Sequence, residues 1–322
     1  MQEDTGDPAF PKHFGGTRFY NPDAPQVRGL LDVVRWKLTS RPEQSPRFIS
    51  DVRQSIPPRR VEGSGLRTTL VNHSTVLLQH SGSNILTDPI WSERASPLSW
   101  AGPRRRRKPG VAWNDLPGID AVLISHNHYD HLDLPALRRL AARGDSIFIV
   151  PTGGARLLRS ESIGPVHELD WGEALSLQES LPGLTFHCVP ALHFSGRGIF
   201  DRNRTLWCGY VIECRGRFVY FAGDTAFGPH FAQIREKFGS PHLALLPIGA
   251  YEPRWFMSSV HMAPDEAVKA HEILAAGTSI AIHHGTFQMA DEGIDAPMKL
   301  LRASAQPKSL LVLKNGQFAD VP

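Results

Sequence analysis

The segment Ser125-His126-Asn127-His128-Tyr129-Asp130-His131-Leu132-Asp133 constrains this chain more than any other. Four of the six residues from His126 to His131 can ligate a metal ion, and they follow directly on IDAVLI, an apolar run that reads as a buried strand. A turn at a strand end brings alternate side chains, His126 and His128, toward one space. As the chain turns into the helix-forming stretch LPALRRLAARG, Asp130 and His131 are redirected to a neighbouring point. Two centres side by side are the expected product, and two-metal hydrolases hold their ions about 3.5–4 Å apart. Without cations, burying these three histidines and an aspartate together would cost several kcal/mol in desolvation and repulsion.

Each centre needs at least three protein ligands, so others must come from elsewhere. Candidates stand in the same local setting, at strand ends. His193 follows TFHCVPAL, and Asp224 follows GRFVYFAG, where small Gly223 permits close backbone approach. His283 ends SIAI beside His284, and on a strand only one of two neighbours faces the site. Asp224 is a carboxylate able to bridge both ions. The chain has 15 His but only 3 Cys, with no CxxC pair, so no thiolate site or disulfide framework is expected. Histidine and carboxylate donors suit two zinc ions, and iron or manganese fit the same donor types.

Of 322 residues, 41% are hydrophobic and 21% charged, which excludes disorder over the whole length. A net charge of +3 is too slight to imply a nucleic-acid partner. The N-terminus lacks an apolar signal-peptide core, and no apolar run approaches the roughly 20 residues of a membrane span, so a soluble, cytoplasmic protein is expected. Residues 1–64 read as a proline-rich extension, with Pro8, Pro11, Pro22 and Pro25 among its breakers, carrying one amphipathic helix over 28–38. Leu31, Val34 and Leu38 form its apolar stripe. It packs on the domain, or faces lipid with Trp36 as anchor. Residues 65–322 read as the catalytic domain. LRTTLVN, STVLLQH and NILTDPI suggest an antiparallel meander, TLWCGYVIEC with GRFVYFAGD a hairpin, and LLVLKNGQFA a closing hairpin with an Asn-Gly turn. Helices between the strands make this a mixed-sheet α/β (α+β) chain. The basic run Arg104-Arg105-Arg106-Arg107-Lys108 reads as a solvated loop, as an attraction to anionic headgroups, or as a nucleic-acid contact, though no aromatic residue interleaves it. His261 precedes a helix opening at Pro264, where backbone donors and the helix dipole favour an anionic phosphate.

HxHxDH after a strand, then a lone His, a GDT and a late strand-end His, resembles the metallo-beta-lactamase superfamily. LISHNHYDHLD, YFAGDT, LPIGAYEPRWFM followed by His261, AIHHGTF, and LTDPIWSERASP with GPRRRR are similar to its N-acylphosphatidylethanolamine-hydrolysing phospholipase D branch. The likeness runs from about Gly65 to Phe318. It implies an αββα sandwich, two mixed sheets flanked by helices, with two zinc ions at one edge. On this resemblance His126, His128 and His193 hold one zinc, Asp130, His131 and His283 the other, and Asp224 bridges. His261 faces the substrate phosphate and assists catalysis, Tyr129 stands beside the site, and His73, kept in VNHST, either lines the site or supports it from behind. The implied reaction is phospholipase D-type hydrolysis of a phospholipid to phosphatidic acid and an N-acylethanolamine, at a peripheral membrane surface and with no nucleic acid. Hydrolysis of another phosphodiester, nuclease-like, or of a lactone is the enzymatic alternative; a non-catalytic metal-binding protein is the contrasting one. A homodimer is compatible with the sequence.

Overall fold

Strands whose residues alternate between two apolar surroundings must be covered on both faces, and this chain does so with four layers. The computed structural model describes residues 12–22, 28–144, 146–304 and 306–321; Pro8, Pro11 and Pro25 of the expected extension lie outside them. After helix α1 (Leu30–Thr39), strands β1 (Leu66–Asn72), β2 (Thr75–His80) and β3 (Ser83–Thr87) form the expected antiparallel meander. β4 (Ala121–Leu123), α2 (Leu134–Ala141), β5 (Ile147–Pro151), α3 (Ala155–Ser160) and β6 (Val166–Leu169) extend it in parallel. The second sheet repeats that plan. β7 (Ala174–Ser176), β8 (Leu184–Val189), β9 (Gly209–Cys214) and β10 (Arg217–Phe221) are antiparallel, and Arg215-Gly216 closes the last hairpin. Then α4 (His230–Phe238), β11 (Leu243–Pro247), α5 (Arg254–Met257), α6 (Pro264–Leu274), β12 (Thr278–Ile282), α7 (Ala296–Ala303) and β13 (Leu310–Leu311) complete the parallel half. β14 (Phe318–Val321) returns to pair with β1.

The core follows the strand alternation. Val219 and Phe221 of β10 point between the sheets, toward Leu70, Leu123 and Ile149 of the first sheet. Tyr220 points outward, to Phe231 of α4 and Ala267 of α6. On the far side, Val122 and Phe148 meet Leu137, Leu140 and Leu158 of α2 and α3. The result is the αββα order. β3, β4, β8, β10 and β12 all run the same way, so their C-terminal ends open on one edge.

Three expectations need correction. LLVLKNGQFA is no hairpin, because β13 joins the second sheet and β14 the first; the turn at Asn315-Gly316 carries the chain between layers. The run 104–108 is no uniform solvated stretch. Arg105 is buried against the carbonyls of Ser92 and Ile90 and the Asn72 amide, and Arg107 is buried between Asp51, Asp295 and the Gly285 carbonyl. Helix α1 forms, but neither expected orientation holds in full. Leu31 and Leu38 remain 86% and 82% exposed, whereas Trp36 turns inward, stacks on Phe256 at 4.9 Å and donates its indole N–H to Asp291 at 3.0 Å. One large aromatic with a partner for its N–H outweighs three aliphatics on the other face.

Gly110 marks a tight crossing between the arginine loop and the terminal turn. Its N–H donates to the Val71 carbonyl at 2.6 Å, and a Cβ there would stand 1.7 Å from the Gly316 nitrogen. Gly110→Ala is expected to lower the unfolding free energy by about 3 kcal/mol or more. Gly118→Ala, whose Cβ would meet only an Arg60 side-chain end at 3.9 Å, should stay within about 0.5 kcal/mol. Urea denaturation compares the two, and equal losses would contradict the close crossing.

Candidate metal centre

The common edge gathers every strand-end residue singled out in the sequence. His126 Nε2 lies 2.8 Å from His128 Nδ1, which lies 3.3 Å from His193 Nε2. Beside this trio, His131 Nε2 is 3.3 Å from Asp130 Oδ2 and 3.2 Å from Asp224 Oδ2. His283 Nε2 is 3.4 Å and 3.0 Å from the same two oxygens. Asp224 Oδ2 also faces the first trio, 3.9 Å from His193 Nε2. Zinc bonds of about 2.0–2.1 Å in a tetrahedron place neighbouring donors about 3.3 Å apart, so both sets have the spacing of ligands around a cation. His131 Nε2 and His283 Nε2 are buried at ion-pair distance from carboxylates yet make no aligned hydrogen bond, and Asp224 Oδ1 is buried with no partner, as atoms reserved for a metal would be. The residues present therefore fit metal ions. Cys188, Cys208 and Cys214 are buried in the inter-sheet core and contribute no donor.

Supporting groups orient these rings. Asp88, at the end of β3, lies 2.6 Å from His131 Nδ1 and accepts hydrogen bonds from the Ser125 N–H and hydroxyl at 2.7 and 2.6 Å. Ser125 Oγ in turn sits 2.9 Å from His126 Nδ1, and the Val260 carbonyl 2.9 Å from His193 Nδ1. Such outer partners fix tautomer and ring direction. Arg197 pins the turn from outside, donating to the Asn127 and Leu132 carbonyls at 2.9 and 2.8 Å. Sequence reasoning missed Asp88 and Arg197; for Asp88 a signal existed, an aspartate at a strand end in LTDPIW. His73, Asp88 and His283 hold left-handed φ values of 47°, 34° and 57°, backbone strain that clusters at functional sites.

Other expected residues fall as follows. His73 is absent from the cavity wall but stands among the second donor set: its Nε2 lies 3.0 Å from Asp130 Oδ2, its ring packs on His283 at 4.2 Å, and a nitrogen of that ring falls within 4.8 Å of donor atoms on Asp130, His131 and His283. His284 turns away, its Nε2 3.1 Å from the Ala281 carbonyl. His261 keeps 12% of its side chain exposed and sets Nδ1 3.8 Å from Asp224 Oδ2. The start of α6 offers less to a phosphate than expected. Glu266 accepts from the Ala263 N–H at 2.8 Å, and the Thr225 carbonyl from the Met262 N–H at 3.0 Å. Tyr129 presents its ring to the cavity above the centre, while its hydroxyl donates to the Arg197 carbonyl at 3.0 Å.

That cavity, about 340 Å³, has His128, Asp130, Asp224, His261 and His283 on its floor. Val33 and Trp36 of α1, with Phe194, Phe256, Met257 and Met289, give it apolar walls.

The charges divide sharply. Burial and neighbouring histidines push His128 down to about 3; burial pushes His193 down to about 4 and holds His126 well below its usual range. These rings are neutral and ready to ligate. Burial acts the same way on His283, but Asp224 and Asp130 overcome it and push this ring up to about 9. His131 is likewise raised against burial by Asp224, Asp130 and Asp88. Burial disfavours ionised Asp130 and Asp224, yet His131 and His283 hold both well below the carboxylate range.

Four layers with histidines and carboxylates gathered at one edge, and no thiolate among them, define a metal-dependent site, and the chain's relatives make it a metal-dependent hydrolase. The family description "Beta-lactamase superfamily domain" matches residues 83–284, and the chain belongs to that superfamily. A Caenorhabditis elegans protein named N-acyl-phosphatidylethanolamine-hydrolyzing phospholipase D 1 is 44% identical over 70% of this chain and 65% of its own length. A Saccharomyces cerevisiae protein named N-acyl-phosphatidylethanolamine-hydrolyzing phospholipase D, mitochondrial, is 34% identical over 70% of this chain and 49% of its own. The chain thus spans less than two thirds of either relative. Among solved structures, a possible metal-dependent hydrolase from Veillonella parvula superposes with a TM-score of 0.66 at 17% identity, covering 80% of this chain and all of that one, a likeness of fold.

Two outcomes test the centre. Metal binding must expel the proton from His283, so affinity should rise as the pH rises toward about 9. Loading the metal-free chain at neutral pH in weak buffer should release about one proton or more per chain, read by an indicator dye; no release would contradict the protonated ring. Asp88→Asn should weaken metal binding about 10–100-fold in competition with a chromophoric chelator, by freeing the His131 ring to turn.

Proposed function

We propose that this chain is a zinc-dependent phosphodiesterase of the phospholipase D type, acting on N-acylphosphatidylethanolamine or a related phospholipid. One observation carries the reading: two donor sets sharing Asp224 form the floor of a cavity whose walls are apolar. A polar, charge-handling floor beneath an apolar wall suits a diester attached to acyl chains. The names of the nematode and yeast relatives point the same way. A cytoplasmic, membrane-peripheral location goes with such a substrate.

In this reading His126, His128 and His193 hold one ion, Asp130, His131 and His283 the other, and Asp224 lies between. Two bound zinc ions would supply a nucleophile from water at neutral pH and positive charge toward the phosphoryl oxygens. The chain's own residues do the rest. Asp88 and Ser125 fix the ring directions, and His73 steadies Asp130. Phe194, Trp36, Phe256 and Met289 keep water from the acyl side and orient the diester with its phosphate downward. Burial holds His261 well below its ordinary pKa, so it meets the substrate as a neutral imidazole whose N–H can hydrogen-bond a phosphoryl or leaving-group oxygen. Hydrolysis breaks the bond from phosphorus to the ethanolamine oxygen, leaving phosphatidic acid and an N-acylethanolamine.

His261→Ala should depress turnover by about 10²–10⁴-fold while metal content stays unchanged. Loss of metal with loss of activity would make His261 a ligand instead. A panel of phospholipid and nucleotide diesters offered to the zinc-loaded protein tests the substrate class. Phospholipids should turn over fastest, and faster cleavage of nucleotide diesters would overturn the reading.

A further inference from the structure

The basic run visible in the sequence is half buried, but a different group of arginines lines a surface concavity that Arg202 links to the cavity. Arg18, Arg156 and Arg204, with Thr17, line a concavity of about 600 Å³. All three arginines are exposed, and among the described residues no carboxylate pairs with Arg156 or Arg204. The cluster is tied to the cavity. Arg18 donates to the Arg202 carbonyl, Arg202 donates to the Arg28 carbonyl at 2.9 Å, and Arg202 and Arg28 both line the cavity. The guanidinium of Arg202 lies over the ring of Phe194, which in turn packs on His128.

The loop 196–204 joins these features. Its tip carries Ile199 and Phe200, 86% and 80% exposed, and its returning leg carries Arg202 and Arg204. Its one acid, Asp201, is engaged with the N–H groups of Arg197 and Gly198. The loop therefore presents apolar side chains and unneutralised positive charge. Leu31 and Leu38 of α1, the helix that lines the same cavity through Val33 and Trp36, add bare aliphatic surface. Cations beside protruding aliphatic side chains match a bilayer carrying anionic headgroups, where charge meets phosphate and apolar tips enter the acyl boundary. Phe200 alone would also suit a nucleic-acid face, but the bare aliphatic side chains Ile199, Leu31 and Leu38 offer a base no ring to stack on.

We propose that Arg18, Arg156 and Arg204 bind phosphate-bearing headgroups of an anionic lipid surface, with Ile199 and Phe200 entering it, so that the cavity mouth is seated on the bilayer. The proposal builds on the phospholipid reading, and its test is read without turnover. Flotation of the full chain is measured with vesicles of equal parts phosphatidylglycerol and phosphatidylcholine, and with phosphatidylcholine alone. Wild type should bind the anionic vesicles more tightly, and Arg156→Glu with Arg204→Glu should weaken that binding about 10- to 30-fold. Ile199→Ser with Phe200→Ser should weaken it at high salt as well, where charge attraction is screened. All variants should retain wild-type circular dichroism and unchanged kcat/KM on a short-chain soluble diester. Equal vesicle binding by wild type and the arginine variant, equal binding to both vesicle types, or a loss confined to single-stranded DNA binding would overturn the proposal. Retained binding of anionic vesicles with no hydrolysis of any phospholipid would support the surface and overturn only the substrate reading.

Discussion

Everything at the catalytic edge depends on Asp224 Oδ2. It stands 3.0 and 3.2 Å from His283 and His131, and 3.9 Å from His193. A buried carboxylate among buried imidazoles is stable only if charge is balanced at each atom, by protons in the metal-free chain or by cations when they are bound. That requirement explains why two similar sets of histidines differ so much. Burial keeps the trio of His126, His128 and His193 neutral even with Asp224 3.9 Å from His193, whereas His131 and His283 touch two carboxylates and hold protons. The fold meets the same requirement sterically. Gly249 passes the strand end at His283 so closely that a Cβ would stand 2.0 Å from its carbonyl oxygen, and Gly223 leaves no space beside Ser125.

Much of the site could be read in the sequence because its donors are local to strand ends. The turn 126–131 carries four of them within six residues, and His193, Asp224 and His283 each follow an apolar run. The fold class was legible for a related reason: alternation and helix signals are short-range. What escaped was set by tertiary contact. Asp88 has no neighbouring histidine in sequence and meets His131 only because β3 and β4 pair in parallel. Arg105 and Arg107 looked like solvated charge, but carbonyls and acids from distant segments enclose them. The Asn315-Gly316 pair has the chemistry of a hairpin turn, yet the strands on either side belong to different sheets. His73, far from the others in sequence, joins Asp130, His131 and His283 only through the fold.

Helix α1 shows how an extension outside the two sheets can still shape the chemistry. Trp36 anchors it through Phe256 and Asp291, and this places Val33 and Trp36 in the cavity wall. Its other face is left bare. The cavity wall thus belongs partly to the sandwich and partly to an added helix, while the donor edge belongs to the sandwich alone.

Metal-edge X-ray absorption on the zinc-loaded protein tests the shared carboxylate most directly. Two donor sets joined by Asp224 predict a first shell of nitrogen and oxygen alone, with a metal–metal vector at about 3.5–4 Å. A sulfur shell, or isolated ions with no such vector in a fully loaded, folded chain, would contradict the account.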